Sequence, residues 1–412
     1  MSFLRPRSRA RARILTVAAA VAAAVCASAG GSLLAATPAG ADSATPSSFW
    51  LATPNGDVWN FGHAGSFGSA GNLSLASPIV SITPTPDRAG YWLLGNDGGI
   101  FSFGDATFHG STGAIRLNQP VVGMTPTSDG QGYWLVARDG GIFSFGDATF
   151  HGSTGDLHLA QPIIGMVPTS DDGGYWLFAR DGGIFSFGDA TFHGSTGAIK
   201  LSQPIVSMAA SSDGGGYVLM ASDGGIFNFG NVAFHGSMGA TPSVEPAEKI
   251  VLSRDAGGYW IVDQNGTPYA FGDASGAPPT QGLMFNPVTQ GDRAVLFAFS
   301  QLGKPYIWGG TGPIGYDCSG LVYRAYQVAA NKTLPRIAAD QYHSAGTSVP
   351  LNQLATGDLV FWGTSATDWT TVYHAGMYVG GDRIVESTGD HVQLNSLNQW
   401  GTSDVMPDGV RP

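Results

Sequence analysis

Aromatic pairs recur through the middle of this chain at one constant step. Phe49-Trp50, Tyr91-Trp92, Tyr133-Trp134, Tyr175-Trp176, Tyr217-Val218 and Tyr259-Trp260 follow one another every 42 residues, and no insertion or deletion breaks the register. A fixed period of this length means that each unit is one supersecondary block, unable to bury its apolar face alone and stacked on its neighbours. In the unit around Tyr133 four short strands are expected: Pro120 to Thr125, Gly132 to Ala137, Ile142 to Phe145 and Thr149 to Gly152. Asp139-Gly140 and Gly146-Asp147 supply turns, because Asp-Gly tolerates positive φ. Phe143 and Phe145 share a face by strand alternation. Glycine accounts for 61 of 412 residues, about twice the usual share, which suits short strands and turns and argues against a mainly helical protein.

Four strands in roughly 40–45 residues describe a β-propeller blade, and six copies of the central hairpin predict about six blades over residues 42–276. The first copy lacks an obvious first strand, and the last has only a weak fourth strand near Asp273 to Ala277. Ring closure is therefore expected to use a shared or incomplete blade. Five or seven blades and a β-solenoid stay open as alternatives. The units resemble the GIFSFGDA-type repeats attached to some bacterial secreted wall enzymes, a likeness that does not say what they bind. His109, His151, His193 and His235 recur once per unit. Copies in successive blades stand too far apart to share a metal, whose ligands lie within ~2–2.5 Å, so they read as repeated polar positions and no metal site is expected. What the repeats do stays open: a cell-wall glycan ligand, a protein ligand and a role as spacer are the alternatives.

Residues 1–41 read as a secretory signal: a basic stretch from Arg5 to Arg13, an apolar run from Ile14 to Cys26, then Ala39-Gly40-Ala41 as a cleavage site. The run is shorter than the ~20 residues a membrane span needs. Five of the 19 basic residues and none of the 30 acidic ones lie in this segment. Its removal leaves 14 against 30, an acidic chain without a bulk footprint for nucleic acid or anionic lipid. The expectation is a secreted or wall-associated protein, free of the membrane after cleavage. Loss of Cys26 would leave one thiol, Cys318.

Periodicity stops near Gly276, and Pro278, Pro279, Gly282 and Pro287 mark residues 277–288 as a linker to a last domain, 289–412. Here Cys318 precedes an apolar run, Leu321, Val322, Ala325, Tyr326 and Ala329, that fits one side of a helix with Asp317 as N-cap. Unpaired N–H groups and the positive end of the helix dipole favour a thiolate there. His374 lies in an alternating strand with Gly376 and Tyr378 on its face. After the Gly380-Gly381 turn, Glu386 returns roughly opposite it. Nucleophile, base and an orienting carboxylate are what an activated thiol requires.

The blocks PYIWGG (from Pro305), YDCSGLV (from Tyr316), GDLVFW (from Gly357) and HAGMYVG (from His374) then appear in order. From about Asp292 to Thr388 the chain resembles the NlpC / p-sixty superfamily of cell-wall cysteine endopeptidases. The resemblance implies a papain-like α+β fold and hydrolysis of peptidoglycan stem peptides, commonly between D-glutamate and a diamino acid, with no cofactor. By position it implies Cys318 as nucleophile and His374 as base. Glu386 falls where the family more often has His, Asn or Gln, so Asp390 or His391 stay open for the third role. It also places Tyr306 beside the nucleophile, and Asp317 and Ser319 near the substrate's amino end. The competing expectations are a binding protein with an inactive last domain, and an amidase or acyltransferase using the same dyad.

Overall fold

In the computed structural model the described residues are 48–61, 63–239, 246–264, 266–279, 281–284, 289–380, 383–398 and 404–412. The leader read over residues 1–41 lies outside them. The repeats form six three-stranded sheets. The unit around Tyr133 shows the pattern, with strands Val121–Pro126, Gly132–Ala137 and Ile142–Gly146 joined antiparallel. All six residues of its middle strand are buried. Alternation explains this: Tyr133 and Leu135 pack with Trp92 and Leu94 of the preceding sheet, whereas Trp134 and Val136 pack with Tyr175 and Leu177 of the following one. This sheet is thus sandwiched between two others, so its central strand is apolar on both faces.

The fourth strand expected at Thr149 to Gly152 does not form; the units are three-stranded. Side chains satisfy that segment's backbone instead of a ladder. The Thr149 carbonyl accepts from Trp134 Nε1 at 2.7 Å. The Tyr175 hydroxyl of the next unit accepts from the N–H groups of His151 and Gly152 at 3.1 Å each and donates to the Gly152 carbonyl at 2.6 Å. The recurring histidines take part in the same join: the Nε2–H groups of His109, His151 and His193 donate to the carbonyls of Gly130, Asp172 and Gly214 in the following unit.

One strand lies inside the stretch read as a linker. Gln281–Met284 pairs in parallel with Phe49–Ala52, which pairs antiparallel with Val58–Phe61 to complete the first sheet. Its Met284 N–H donates to Glu248 Oε1 of the sixth sheet at 2.8 Å. Gly282 sits so close to the second sheet that a Cβ there would lie 2.3 Å from the Ile82 carbonyl oxygen. The reason the sequence hides this strand is compositional: Pro279 and Pro287 flank it and read as breakers.

The last domain is α+β. Helix α1 (Gln290–Phe299) opens with a capping box between Thr289 and Asp292. Helix α2 (Cys318–Ala329) is capped by Asp317, and α3 (Ala338–Ser344) follows. Strands β1 (Thr347–Pro350), β2 (Leu359–Gly363), β3 (Val372–Gly380), β4 (Arg383–Thr388), β5 (His391–Ser396) and β6 (Asp408–Arg411) form one antiparallel sheet in the order β1-β6-β2-β3-β4-β5. The buried face of α2, with Leu321, Val322, Ala325 and Tyr326, belongs to the same core as Ala375, Met377 and Val385 of the sheet. Among the described residues no helix is long and apolar enough to cross a membrane.

The tyrosine joints predict a measurable cost. Tyr133→Phe removes the hydroxyl that serves the His109 and Gly110 N–H groups and the Gly110 carbonyl. Leaving such groups unmet should lower unfolding free energy by about 2 kcal/mol, read as a shift in urea midpoint with little change in slope.

Candidate active site

The α2 N-terminus fills a gap in the sheet. Between β3 and β4 the ladder pairs Met377 with Val385 and Tyr378 with Ile384, and stops before His374. There the Cys318 sulfur accepts from the Ala375 backbone N–H and is hydrogen-bonded to the His374 ring. On β4, Ser387 Oγ donates to the Tyr316 carbonyl at 2.7 Å, tying the segment before Cys318 to the same gap. Gly376 leaves room for this arrangement, since a Cβ there would lie 3.2 Å from Ile384 Cδ1.

His374 Nε2 is hydrogen-bonded to Glu386 Oε2, which leaves Nδ1 for the sulfur. Glu386 is fully buried, and its other oxygen accepts from Asn395 Nδ2 of β5 at 2.7 Å. The Trp362 ring tilts against the imidazole at 5.4 Å between centroids. Asp390 and His391 instead bind each other at the exposed β4–β5 turn, so Glu386 is the carboxylate brought to the ring.

Charge and burial set the protonation. Burial pushes the Cys318 thiol up, but the hydrogen bond and charge of His374, with the Ala375 N–H, outweigh it and leave the pKa lowered. Burial likewise disfavours a charged His374, yet its bonds to Cys318 and Glu386 lift it to about 9. Both shifts favour the thiolate and imidazolium forms of the pair. The helix start contributes as well: among the described residues no backbone acceptor takes the Cys318 or Ser319 N–H, and such orphan donors at a helix N-terminus favour a nearby negative charge.

Asp317 and Ser319 are engaged in holding that turn. Asp317 Oδ1 accepts from the Gly320 N–H at 2.7 Å, and Oδ2 from the Gly309 N–H at 2.9 Å. Arg336 clamps both oxygens, at 3.0 and 2.7 Å, and reaches Ser319 Oγ at 3.1 Å. The clamp matters electrically, because a bare Asp317 charge would raise the neighbouring thiol's pKa. Tyr306 stands near enough to Cys318 and Asp317 that, after burial, their charges are what raise its own pKa. Sequence reading missed Arg336 and Asn395. Strand parity in the β4–β5 hairpin, where Glu386 pairs with Gln393, puts Asn395 on the carboxylate's face and was the available signal. Arg336 lies in the irregular segment between α2 and α3, and no periodicity points to it.

Comparison with known proteins follows from these residues. The family model described as "NlpC/P60 family" matches residues 303–408. Those residues are an NlpC/P60 domain. The chain is 42% identical over 103 residues to Murein DD-endopeptidase MepH of Escherichia coli (strain K12), covering 24% of this chain and 37% of that protein. It is 38% identical over 100 residues to Gamma-D-glutamyl-L-lysine dipeptidyl-peptidase of Bacillus subtilis (strain 168), covering 24% and 33%. The NlpC/p60 domain of peptidoglycan hydrolase SagA matches with 30% identity over 30% of this chain and 98% of that one, at a TM-score of 0.26. The chain thus spans well under half the length of these two curated relatives.

The electrostatics predict a reactive thiol. Cys318 should be alkylated by iodoacetamide rapidly at neutral pH, with the label located by peptide mass spectrometry. In His374→Ala burial is opposed only by the Ala375 N–H and the helix start, the thiol pKa rises, and labelling at pH 7 should slow at least about tenfold, the effect of one pKa unit on the thiolate fraction.

Proposed function

We propose that this protein is an exported peptidoglycan hydrolase whose last domain cleaves stem peptides through Cys318, His374 and Glu386. The observation that carries the reading is the unbroken chain from a buried carboxylate through an imidazole to a thiol of lowered pKa. An inactive domain would have no use for a buried charge in that position, which is costly unless paired. The names of relatives point to peptidoglycan as the substrate class. Within it, we read the bond between D-γ-glutamate and a diamino acid as the one cleaved, the kind of bond for which the Bacillus subtilis relative is named.

In the proposed mechanism the Cys318 thiolate attacks the scissile carbonyl carbon. The oxyanion is met by the free N–H of Cys318, a type of donor worth ~3–4 kcal/mol in comparable sites. Collapse breaks the C–N bond while His374 gives its Nδ1 proton to the leaving amine. Water then attacks the thioester, losing a proton to His374, and the thiolate leaves. Glu386 holds the ring throughout and stabilises its charged form.

For the rest of the chain we read residues 1–41 as a cleaved leader and 42–276 as a ring of six blades carried with the catalytic domain, 289–412. Support for closure comes from the sixth and first sheets. Trp260 and Val262 share a core with Phe49 and Leu51, the same strand parity by which every other neighbouring pair packs. The strand Gln281–Met284 then serves as the first blade's missing inner strand.

Digestion of purified sacculi, with muropeptides resolved by mass spectrometry, tests the function. The wild type should release fragments ending at γ-D-glutamate, and Cys318→Ala none. Release at the sugar–peptide junction would make the enzyme an amidase, and retained turnover in Cys318→Ala would reject the thiol mechanism. The pH profile of kcat/KM should be bell-shaped. It rises as the thiol ionises and falls as His374 loses its proton near about 9. Removing the carboxylate charge in Glu386→Gln lowers the His374 pKa, so the alkaline limb should move to lower pH, with kcat/KM reduced at least about tenfold.

A further inference from the structure

A crevice of about 600 Å³ opens where the first sheet meets α1, within the size range of small-molecule sites. Asn55, Asp57 and Trp59 line it from the repeat side, and Arg293, Phe297 and Ser300 from α1 and the turn after it. It lies near the C-terminal end of α2, with Ala329 in its wall, and so away from Cys318 at the other end of that helix.

The repeats themselves supply a comparison. The position of Asp57 is Gly99, Gly141, Gly183 and Gly225 in the four units that follow, and that of Trp59 is Phe101, Phe143, Phe185 and Phe227. Asp57 and Trp59 both fall on the crevice wall. Trp59 has a packing reason, since its ring lies 5.2 Å from that of Phe299. Asp57 has none: its carboxylate has no hydrogen-bond or ion-pair partner among the described residues, and partial burial pushes its pKa up. Arg293 donates from Nε to the Ala329 carbonyl at 3.3 Å, and its terminal amino groups have no partner among the described residues. The two charges share a crevice without pairing with each other, and an unmet charge under partial burial is a cost that packing alone does not explain.

We propose that this crevice binds a saccharide, an N-acetylhexosamine unit of a glycan strand. A carboxylate accepts from sugar hydroxyls, the guanidinium donates to ring and hydroxyl oxygens, and the Asn55 amide can serve an acetamido group. The indole and phenyl rings offer flat apolar surface to the C–H face of a pyranose. One positive and one negative charge in the wall fit a neutral ligand better than a charged stem peptide. The choice of N-acetyl sugar rests on the hydrolase reading; occupancy of the crevice does not.

Calorimetric titration of the full-length Cys318→Ala chain with N,N′,N″,N‴-tetraacetylchitotetraose tests this without turnover. Saturable binding is expected at millimolar saccharide or below. Asp57→Gly and Trp59→Phe install the residues that the sister units carry at these positions, so the fold is expected to hold, as checked by circular dichroism. Each should weaken binding about tenfold. Phe150→Ala, at an exposed ring of another unit, should leave it unchanged. Absence of saturable binding in the parent chain, equal binding in Asp57→Gly and Trp59→Phe, or a preference for stem peptide over saccharide would each overturn the proposal. Failure of the muropeptide digest alongside intact saccharide binding would remove only the hydrolase reading.

Discussion

A carboxylate with no exposure to solvent is the constraint around which the last domain is arranged. An ionised Glu386 in that place is tolerable only with a compensating charge and filled hydrogen bonds. His374 supplies the charge and Asn395 one of the bonds. The imidazole's protonated form is thereby favoured and its ring held in orientation, and its charge favours the ionised form of the sulfur it faces. The arrangement needs β4 to carry Glu386 and β3 to carry His374 while the two strands part before their ends. The wedge that parts them is the start of α2, which delivers the sulfur. Backbone topology and protonation state are two descriptions of one contact.

A different constraint shapes the repeats. From the first to the fifth unit the connecting segment that joins no ladder is bound by the next unit's tyrosine, and in three of them a histidine ties the two units as well. Stability is then shared between adjacent units, as in other repeat arrays, and the end units must be handled separately. The sixth unit departs from the pattern at Glu248 and Lys249, where the preceding four have Val80-Ser81, Val122-Gly123, Ile164-Gly165 and Val206-Ser207. Burial pushes Glu248 up to about 7 and lowers Lys249. The charge of Glu248 at an otherwise apolar seam is explained by what it meets: it receives the Met284 N–H of the strand that joins the first sheet from beyond the repeats.

Legibility in the sequence followed the range of the interaction. Period and alternation are local, so the three strands of the second to sixth units were readable from Tyr133 and its copies, as was the helix behind Cys318. His374 and Glu386 were readable because a short turn fixes hairpin parity. Features set by distant partners were not. Thr149 to Gly152 has the composition of a strand, but its hydrogen bonds go to Trp134 and Tyr175. Gln281–Met284 looks like a proline-rich connector until Phe49–Ala52 is beside it. Arg336 is a lone cation in a loop, and only the fold brings it to Asp317.

The repeats and the NlpC/P60 domain are not joined by a bare tether. Phe49, Leu51 and Leu283 of the first sheet lie in one hydrophobic cluster with Ala294, Val295 and Phe299 of α1. The Trp59 ring rests against Phe299, and the Arg383 guanidinium at the start of β4 lies 4.6 Å above the Phe49 ring. A shared core of this kind fixes orientation, whereas a flexible linker fixes only distance. Anything held by the repeats is therefore presented to the thiol from a set direction, and the gain in effective concentration depends on geometry rather than on linker length. It also means that β4, which carries Glu386, is buttressed at its first residue by the repeat module. The carboxylate's position is thus held from both sides, by Asn395 across the hairpin and by the docked first sheet at its root.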